Sequence, residues 1–395
     1  MENLTLYKKT SYIIVLISIF LFHVVTSFAQ QRDSRVREYL SPTRIVWQQE
    51  SQLIQGAEYL LRPGHGQANL VNNELCKLSS TEQQHPAILF DFGKELQGGL
   101  QIVTGMPDSH APVTIRVRLG ESVSEAMCDI DEVNGATNDH AMRDFVISVP
   151  WLGVLEVGNS GFRFARIDLL DDSAELHLKE IRAISVYQDI PYKGSFRCND
   201  ERLNRIWQTG AYTVHLNMQE YIWDGIKRDR LVWIGDLHPE VMTVNTVFGY
   251  NEVIPKSIDL IRESTPLPRW MTMCTYSLWW ILIQRDWYLY QGNLDYLKEQ
   301  KNYLCDLLQL LMTRIGEDGL EKFNDDEGRF LDWPSCENPL AINAGVQALV
   351  IQAMKAGYEL CSVLGEDMLA AKCEAVRRKM VNAAPKAVSY THLRA

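Results

Sequence analysis

A change in the spacing of the apolar residues, near Pro191, constrains the fold of this 395-residue chain more than any other feature. Before it, apolar and polar residues alternate, as in Val113–Glu121, which is typical of a half-buried strand. After it, apolar residues recur every three to four positions, beginning with Leu203, Ile206 and Ala211, which indicates a helix. The two periods cannot belong to one element, so we expect strands first and helices second.

The part of the chain before Pro191 predicts an antiparallel β-sandwich. Residues Ile88–Gly105 alternate around Gly98-Gly99, which predicts a hairpin that turns at these glycines. Short alternating segments separated by Gly, Pro, Asn and Asp are typical of such sandwiches. The other predicted strands include Phe162–Leu170 and Leu178–Asp189.

The part after Pro191 predicts a succession of helices without strands between them, as in an α/α toroid or solenoid. Asn199 or Asp200 can cap the first helix, because a short polar side chain accepts a hydrogen bond from the first free backbone N–H groups. The helices are predicted at roughly residues 200–218, 239–248, 253–263, 274–291, 294–315, 341–364 and 366–384.

The N-terminus has the pattern of a cleaved secretory signal peptide over residues 1–29. Lys8 and Lys9 precede an apolar run, Tyr12–Val25, and small residues stand before a cut after Ala29. The run is too short for a membrane span of about 20 residues. We therefore expect export to the periplasm or the cell exterior, without a stable membrane anchor.

The last eight residues, 388–395, read VSYTHLRA and resemble the translation of a sequencing adapter. The natural sequence is then expected to continue past Lys386 with other residues, so this segment carries no argument about the fold.

Charge and cysteine usage narrow the class of protein. The net charge of -11 argues against a nucleic-acid partner, because phosphate binding requires clustered Lys and Arg. The eight cysteines include no CxxC pair, so no zinc site is predicted, and most lie in apolar surroundings where a buried thiol is expected. We predict no metal and no cofactor.

The segment Asp224–Asp236, DGIKRDRLVWIGD, places three carboxylates and three basic residues around an apolar centre. Two geometries are open. One helix over 229–240 would stack Asp229, Trp233 and Asp236 in a stripe. Alternatively the segment is a loop before a helix that starts at Pro239, because proline is tolerated at the first helical position and not in the interior.

Paired carboxylates beside an indole suit glycoside hydrolysis. That reaction needs one carboxylic acid to protonate the leaving oxygen and one carboxylate to activate water. Two other interpretations remain open on the residues alone. The acids and bases could form ordinary salt bridges around a core tryptophan, and an Asp-rich loop could bind calcium, although the basic residues disfavour a cation.

The segment resembles the signature of the α-L-rhamnosidases of glycoside hydrolase family 78. Asp224, Arg228-Asp229, Trp233 and Gly235-Asp236 stand at the matching spacing. The resemblance covers roughly residues 80–385. It includes Phe90–Ile102 and Gly161–Ile167, which resemble the family's β-sandwich, and Gly194–Trp207, which resembles the junction into its barrel.

This resemblance implies a fold and a domain division. It implies a multidomain β + α protein in which an antiparallel β-sandwich over residues 30–192 precedes an incomplete (α/α)6 barrel over residues 193–387. It also implies an inverting glycosidase that releases L-rhamnose from rhamnose-containing oligo- or polysaccharides. Since a twelve-helix barrel needs roughly 350 residues, the resemblance further implies that the catalytic base, a late-barrel Glu, lies beyond this chain, which would leave the fragment inactive.

The resemblance also assigns roles to single residues. Asp224 and Asp236 would bind sugar hydroxyls, Arg228 would contact the substrate, and Trp233 would line the pocket. Asp229 occupies the position of the general acid, where the family generally has Glu. Because Asp is one methylene shorter, Glu240 is the alternative acid.

Further candidates lie downstream. Tyr276, with Trp270, is the expected pocket member of an aromatic-rich helix, and Asp332-Trp333 resembles an Asp-Trp segment at the family's sugar site. His238 is expected to be structural. Two alternative functions stay open: a glycosidase or lyase for acidic sugars, whose carboxylates would meet Lys227, Arg228 and Arg230, and a non-catalytic carbohydrate-binding protein.

Overall fold

Strands and helices occupy successive parts of the chain in the computed structural model, which describes residues 33–70, 73–130 and 142–387. The described strands lie between Arg35 and Gln188, and the long helices lie between Glu201 and Ala387. The prediction of strands first and helices second is therefore confirmed. The predicted signal peptide, 1–29, and the adapter-like segment, 388–395, lie outside the described residues.

Nine strands of the described chain form one antiparallel sheet. Its order is β3-β4-β9-β5-β8-β6-β7, with β1 added on β9 and β2 on β5. The long strand β5 pairs with β8 along its length, with β2 before Gly98 and with β9 from Gly98 onward. The strands bury one large hydrophobic cluster, and Leu89, Ala126 and Phe164 form a smaller separate one. The strands are β1 (Arg35–Leu40), β2 (Arg44–Gln49), β3 (Ile54–Gln55), β4 (Cys76–Ser79), β5 (Ala87–Thr104), β6 (Val113–Gly120), β7 (Asp144–Val149), β8 (Gly153–Leu169) and β9 (Glu175–Gln188). A short helix, α1 (Val123–Met127), follows β6.

The predicted hairpin turn at Gly98-Gly99 is wrong, because β5 runs through both glycines without turning. The pairing with β8 shifts register between Gly98 and Leu100, which marks a bulge. Gly98 has φ 145°, and a Cβ added there would lie 2.0 Å from the carbonyl oxygen of Ile184. These glycines therefore allow close approach of the neighbouring strands.

The seven long helices of the described residues match the predicted ones in number and order. They are α2 (Glu201–Asn217), α3 (Leu237–Thr243), α4 (Val253–Ser264), α5 (Cys274–Gln291), α6 (Leu294–Met312), α7 (Pro339–Val363) and α8 (Asp367–Ala387). Asp200 caps α2, because its side chain accepts hydrogen bonds from the N–H groups of Arg202 and Leu203. None of the helices in this part of the chain is long and apolar enough to span a membrane.

Of the two geometries for the acidic segment, the structure has a loop that leads into α3. The helix begins two residues earlier than predicted, at Leu237, so Pro239 lies in its first turn. Backbone N–H groups in the first turn have no partner within the helix, so proline, which lacks this group, costs no hydrogen bond there. A π-helical turn, Val244–Phe248, extends α3 and ends at Gly249 with φ 77°.

A second core lies among the helices and buries much of the aromatic-rich α5. Trp280 and Trp287 are fully buried there, as expected for a helical aromatic stripe. All eight cysteines are free thiols, and four of them are buried: Cys76, Cys274, Cys361 and Cys373. In the described ranges, no three His, Cys, Asp or Glu side chains are arranged to hold a metal ion.

Candidate active site

The loop before α3 closes on itself at Asp224. The backbone N–H of Asp224 donates to the carbonyl oxygen of Leu231 at 3.0 Å. In return, the N–H of Leu231 donates to Oδ1 of Asp224 at 2.9 Å. The N–H of Asp236 then donates to the carbonyl oxygen of Trp233 at 2.9 Å, which turns the chain into α3. These bonds hold the predicted site residues in one compact loop, which we call the acidic loop (224–236).

Two adjacent residues at the tip of the acidic loop adopt left-handed backbone conformations. Asp229 has φ 55° and Arg230 has φ 56°. Non-glycine residues adopt this region at a free-energy cost, and only where the surrounding structure enforces it. The N–H of Arg230 donates to the carbonyl oxygen of Arg228 at 2.7 Å, which tightens the turn. The tip is therefore a strained feature that other contacts must maintain.

The side chain of Asp229 is oriented by the indole of Trp233. Nε1 of Trp233 donates to Oδ2 of Asp229 at 3.2 Å. Nε of Arg228 lies 3.5 Å from Oδ1 of the same carboxylate, although the Arg228 side chain is 71% exposed. The residue at the predicted acid position thus has a fixed direction.

Tyr276, from the first turn of α5, packs against the same indole. The rings of Trp233 and Tyr276 meet edge to face, with centroids 6.2 Å apart. A Cβ added at Gly235 would lie 2.1 Å from Cε1 of Tyr276, so only glycine lets the loop approach this ring. Burial, with the nearby carboxylates of Asp236 and Asp224, raises the pKa of Tyr276 to about 12. Tyr276 therefore contacts the acidic loop, and its role as a pocket member stays a prediction.

The carboxylates of the loop act on one another electrostatically. Partial burial raises the pKa of Asp224, and the charges of Asp229 and Asp236 raise it further, while the hydrogen bond from Leu231 opposes them. Lost hydration also raises the pKa of Asp236, and the charges of Asp332 and Asp229 raise it further. Asp236 nevertheless remains partly exposed to solvent. The acids that the sequence separates by up to 108 positions therefore share one cluster.

Glu240 lies in α3 beneath this cluster and is buried. Burial raises its pKa to about 8, and the charges of Asp224 and Asp236 contribute, against a hydrogen bond from Asn217. That bond joins Nδ2 of Asn217 to Oε1 of Glu240 at 2.8 Å. Oε2 is buried, and no side chain or backbone group of the described residues bonds to it. Glu240 consequently holds a proton at neutral pH.

Asp332 and Trp333 lie in the connection between α6 and α7. Oδ1 of Asp332 accepts a hydrogen bond from the N–H of Trp333 at 2.8 Å, which starts a short 3-10 turn. The Trp333 side chain packs edge to face on Phe330 and remains 78% exposed. Because the charge of Asp332 acts on the pKa of Asp236, Asp332 belongs with the acid cluster, whereas the Trp333 indole has Phe330 as its aromatic neighbour.

Trp270 does not join this group. Its Nε1 donates to Oε1 of Glu327 at 3.0 Å, and its ring packs against Phe323. The expectation that Trp270 lines the pocket receives no support from these contacts.

Two of the three basic residues of the acidic loop bind partners outside the loop instead of its own carboxylates. Nζ of Lys227 lies 3.0 Å from Oε2 of Glu121, and Nη1 of Arg230 donates to the carbonyl oxygen of Asn159 at 2.8 Å. Both partners belong to the strand-rich part of the chain. Only Arg228 keeps an exposed guanidinium, which weakens the idea that this trio binds acidic sugars.

Asn217 and Asp286 are site neighbours that sequence reasoning missed. Nε2 of His238 lies 2.8 Å from Oδ2 of Asp286, and the imidazole packs on Trp279. Burial alone would raise the pKa of Asp286, but hydrogen bonds from His238 and Arg285 outweigh it and lower the pKa. Both residues come from other helices, so no local pattern could have identified them. His238 is held by Asp286 and Trp279, and its structural role stays a prediction.

The helical part of the chain matches a known family. Residues 191–387 match the model described as bacterial alpha-L-rhamnosidase 6 hairpin glycosidase domain. An alpha-L-rhamnosidase of Formosa agariphila is 31% identical over 78 residues, which are 20% of this chain and 8% of that protein.

Solved structures with the same fold cover most of the chain. A rhamnosidase from Klebsiella oxytoca with rhamnose bound matches with a TM-score of 0.72 and 18% identity, over 90% of this chain and 71% of that one. The GH78 family rhamnosidase of Bacillus sp. GL1 matches with a TM-score of 0.67 and 20% identity, over 84% of this chain. The present chain spans 34% of the Bacillus chain. Through residues 191–387, the chain belongs to the bacterial α-L-rhamnosidase family.

Proposed function

We propose that the protein hydrolyses terminal α-L-rhamnosides of oligo- or polysaccharides, with inversion at the anomeric carbon. The observation that carries this proposal is the acid cluster of Asp224, Asp229, Asp236 and Glu240, packed against the rings of Trp233 and Tyr276. Aromatic faces and carboxylate pairs are the groups that recognise the C–H faces and hydroxyls of a sugar. Helices α2–α8 would supply part of an (α/α)6 barrel, and the segment 1–29 supports export.

In this mechanism the glycosidic oxygen receives a proton as its bond to carbon breaks. Asp229 is the first candidate donor, because the indole of Trp233 directs its carboxyl group within the loop. Glu240 is the second, because it holds a proton at neutral pH, as a general acid must. Asp224 and Asp236 would accept hydrogen bonds from the sugar hydroxyls. A second carboxylate would activate the water on the opposite face of the ring.

The acid is identified by comparing Asp229→Asn with Glu240→Gln in the full-length protein. Removal of the general acid is expected to lower kcat on aryl α-L-rhamnosides about 10²- to 10⁴-fold. The loss should be smaller for dinitrophenyl than for alkyl leaving groups, because a good leaving group needs no proton. Asp318→Asn is the matched control, since Asp318 forms a surface pair with Lys322 at 2.9 Å.

Three outcomes would contradict parts of this proposal. If neither variant lowers turnover, both acid assignments are wrong. If the first sugar released, followed by NMR, keeps the α configuration, the mechanism is not inverting. If the parent, the full-length protein without substitutions, binds L-rhamnose but releases none from any rhamnoside, the protein is a non-catalytic carbohydrate-binding protein.

A further inference from the structure

Lys227 belongs to the acidic loop, but its ammonium group is held by the strand-rich part of the chain. Nζ lies 3.0 Å from Oε2 of Glu121 and 2.9 Å from Oε1 of Glu125. Glu121 directly follows β6, and Glu125 lies in α1. The Lys227 side chain is only 32% exposed. Two carboxylates on one partly buried ammonium form a stronger contact than an isolated surface pair.

Two backbone contacts fasten the same stretch of the loop. Nη1 of Arg230 donates to the carbonyl oxygen of Asn159 in β8 at 2.8 Å. The amide of Gln97 in β5, in the orientation that satisfies its neighbours, donates to the carbonyl oxygen of Ile226 at 3.0 Å. The Ile226 side chain is buried, and a Cβ added at Gly161 would lie 2.7 Å from its Cγ1. Strands β5 and β8 therefore form the surface on which the loop rests.

These contacts hold the chain on both sides of Asp229, the first residue of the strained tip. Lys227 is held on one side and Arg230 on the other, and Arg228 and Asp229 are the only residues between them. Asp229 and Arg230 have positive φ. Such a conformation persists only when surrounding contacts enforce it, and here the enforcing contacts come from residues of the sheet and α1.

We propose that Lys227, through Glu121 and Glu125, is a positioning residue that holds the strained tip of the acidic loop and so directs the Asp229 carboxyl group into the site. The strand-rich part of the protein thereby determines the geometry of a site built on the helical part. The kinetic consequence rests on the proposed function. The structural consequence, a loop held by Lys227, does not.

The main test is Lys227→Met in the full-length protein, assayed on an aryl α-L-rhamnoside. We expect kcat to fall about 10- to 100-fold, because a misplacement of about 1 Å at a catalytic group has effects of that size. KM should change less than kcat, since the N–H of Asp236 is held by the carbonyl oxygen of Trp233, which does not depend on Lys227. Lys227→Arg keeps the charge and should restore kcat to within about threefold of the parent.

A second measurement follows the loop itself by hydrogen exchange of backbone amides. In Lys227→Met, the amides of residues 224–233 should exchange at least about tenfold faster than in the parent, while those of α5 exchange at the parent rate. The amide of Leu231, bonded to Asp224, is the most direct reporter. Lys256→Met is the matched control, because Lys256 pairs with Glu220 at 3.2 Å outside the acidic loop, and it should change neither readout.

Repulsion between Glu121 and Glu125 could impair folding of Lys227→Met by itself. The triple variant Lys227→Met, Glu121→Gln, Glu125→Gln removes all three charges and separates loss of positioning from repulsion. It should fold with the parent's melting temperature to within a few degrees, and it should keep both the fast loop exchange and the low kcat.

The inference is overturned if Lys227→Met or the triple variant has the parent's kcat and the parent's loop exchange. It is also overturned if Lys256→Met lowers kcat as much as Lys227→Met does. A parent without rhamnosidase turnover contradicts the proposed function only, because the exchange rates of the loop still decide whether Lys227 holds it.

Discussion

Trp233 has two contacts in the candidate site that a single substitution can separate. Its ring packs edge to face on Tyr276, and its Nε1 donates to Asp229 at 3.2 Å. A phenylalanine at this position would retain most of the ring contact and would lose the hydrogen bond. The indole therefore allows a test of whether the direction of the Asp229 carboxyl group matters for turnover.

We predict that Trp233→Phe lowers kcat up to about tenfold, because the hydrogen bond that orients the Asp229 carboxyl group contributes roughly 0.5–1.5 kcal/mol. Steady-state kinetics on an aryl α-L-rhamnoside measures the effect. Trp280→Phe is the control, since Trp280 is buried in the core and its Nε1 donates to the carbonyl oxygen of Ile258 at 3.3 Å. It should lower the melting temperature without lowering kcat. Equal kcat for parent and Trp233→Phe would contradict orientation by the indole.

At the scale of secondary-structure elements, β5 shows how one local pattern permits two structures. Alternating residues on both sides of Gly98-Gly99 suit a hairpin and equally suit one long strand with a bulge. The structure has the long strand, because β8 and β9 pair with β5 on both sides of the glycines. The distant pairing partners, and not the glycines, decide between the two.

Gly98→Ala tests the bulge. The added Cβ would lie 2.0 Å from the carbonyl oxygen of Ile184, so we predict a loss of free energy of unfolding on the order of 2–4 kcal/mol. Gly210→Ala, in α2, should instead stabilise by about 0.5–1 kcal/mol, because no atom lies within 4 Å of the new Cβ. Urea unfolding measures the free energy of unfolding of both variants. If Gly98→Ala is as stable as the unsubstituted protein, the close approach of β9 at Gly98 is contradicted.

At the scale of the whole molecule, two acids, the buried Glu240 and the partly buried Glu95, connect stability to pH. Burial raises the pKa of Glu240 to about 8, and burial with the charges of Glu121 and Glu125 raises the pKa of Glu95 to about 8. In the unfolded chain both groups would lose their protons near the ordinary value of 4.5. Between these values the folded state binds more protons, so the free energy of unfolding falls as pH rises.

We predict that the parent is less stable at pH 8.5 than at pH 5.5, with about 1–3 kcal/mol from each of the two acids. Glu95→Gln and Glu240→Gln, singly and together, should reduce this loss, because a neutral amide needs no proton. Urea unfolding at both pH values measures it. An unchanged loss in the double variant would show that neither carboxyl group holds its proton in the folded protein.

Much of the helical part was predictable, because its determinants are local. Helix α5 was predicted over 274–291 and is found over Cys274–Gln291. Its apolar residues recur at helical spacing and Gly292 ends it, and both signals can be recognised in the local sequence. The start of α3 was missed by two residues, because proline is tolerated throughout the first turn. The loop before α3 could not be chosen over a helix with certainty, because its closure depends on the contact between Asp224 and Leu231.

By itself the sequence determined the order of strands and helices and the spacing of Asp224, Asp229 and Asp236, because periodicity and spacing are properties of neighbouring residues. Only the tertiary structure decided that burial raises the pKa of Glu240 and that Lys227 pairs with Glu121 and Glu125 instead of the carboxylates of the acidic loop. Lys227 reaches Glu121 across 106 positions of sequence, and the pKa of Glu240 depends on burial. Burial and distant contacts exist only once the chain has folded, so no local pattern can report them.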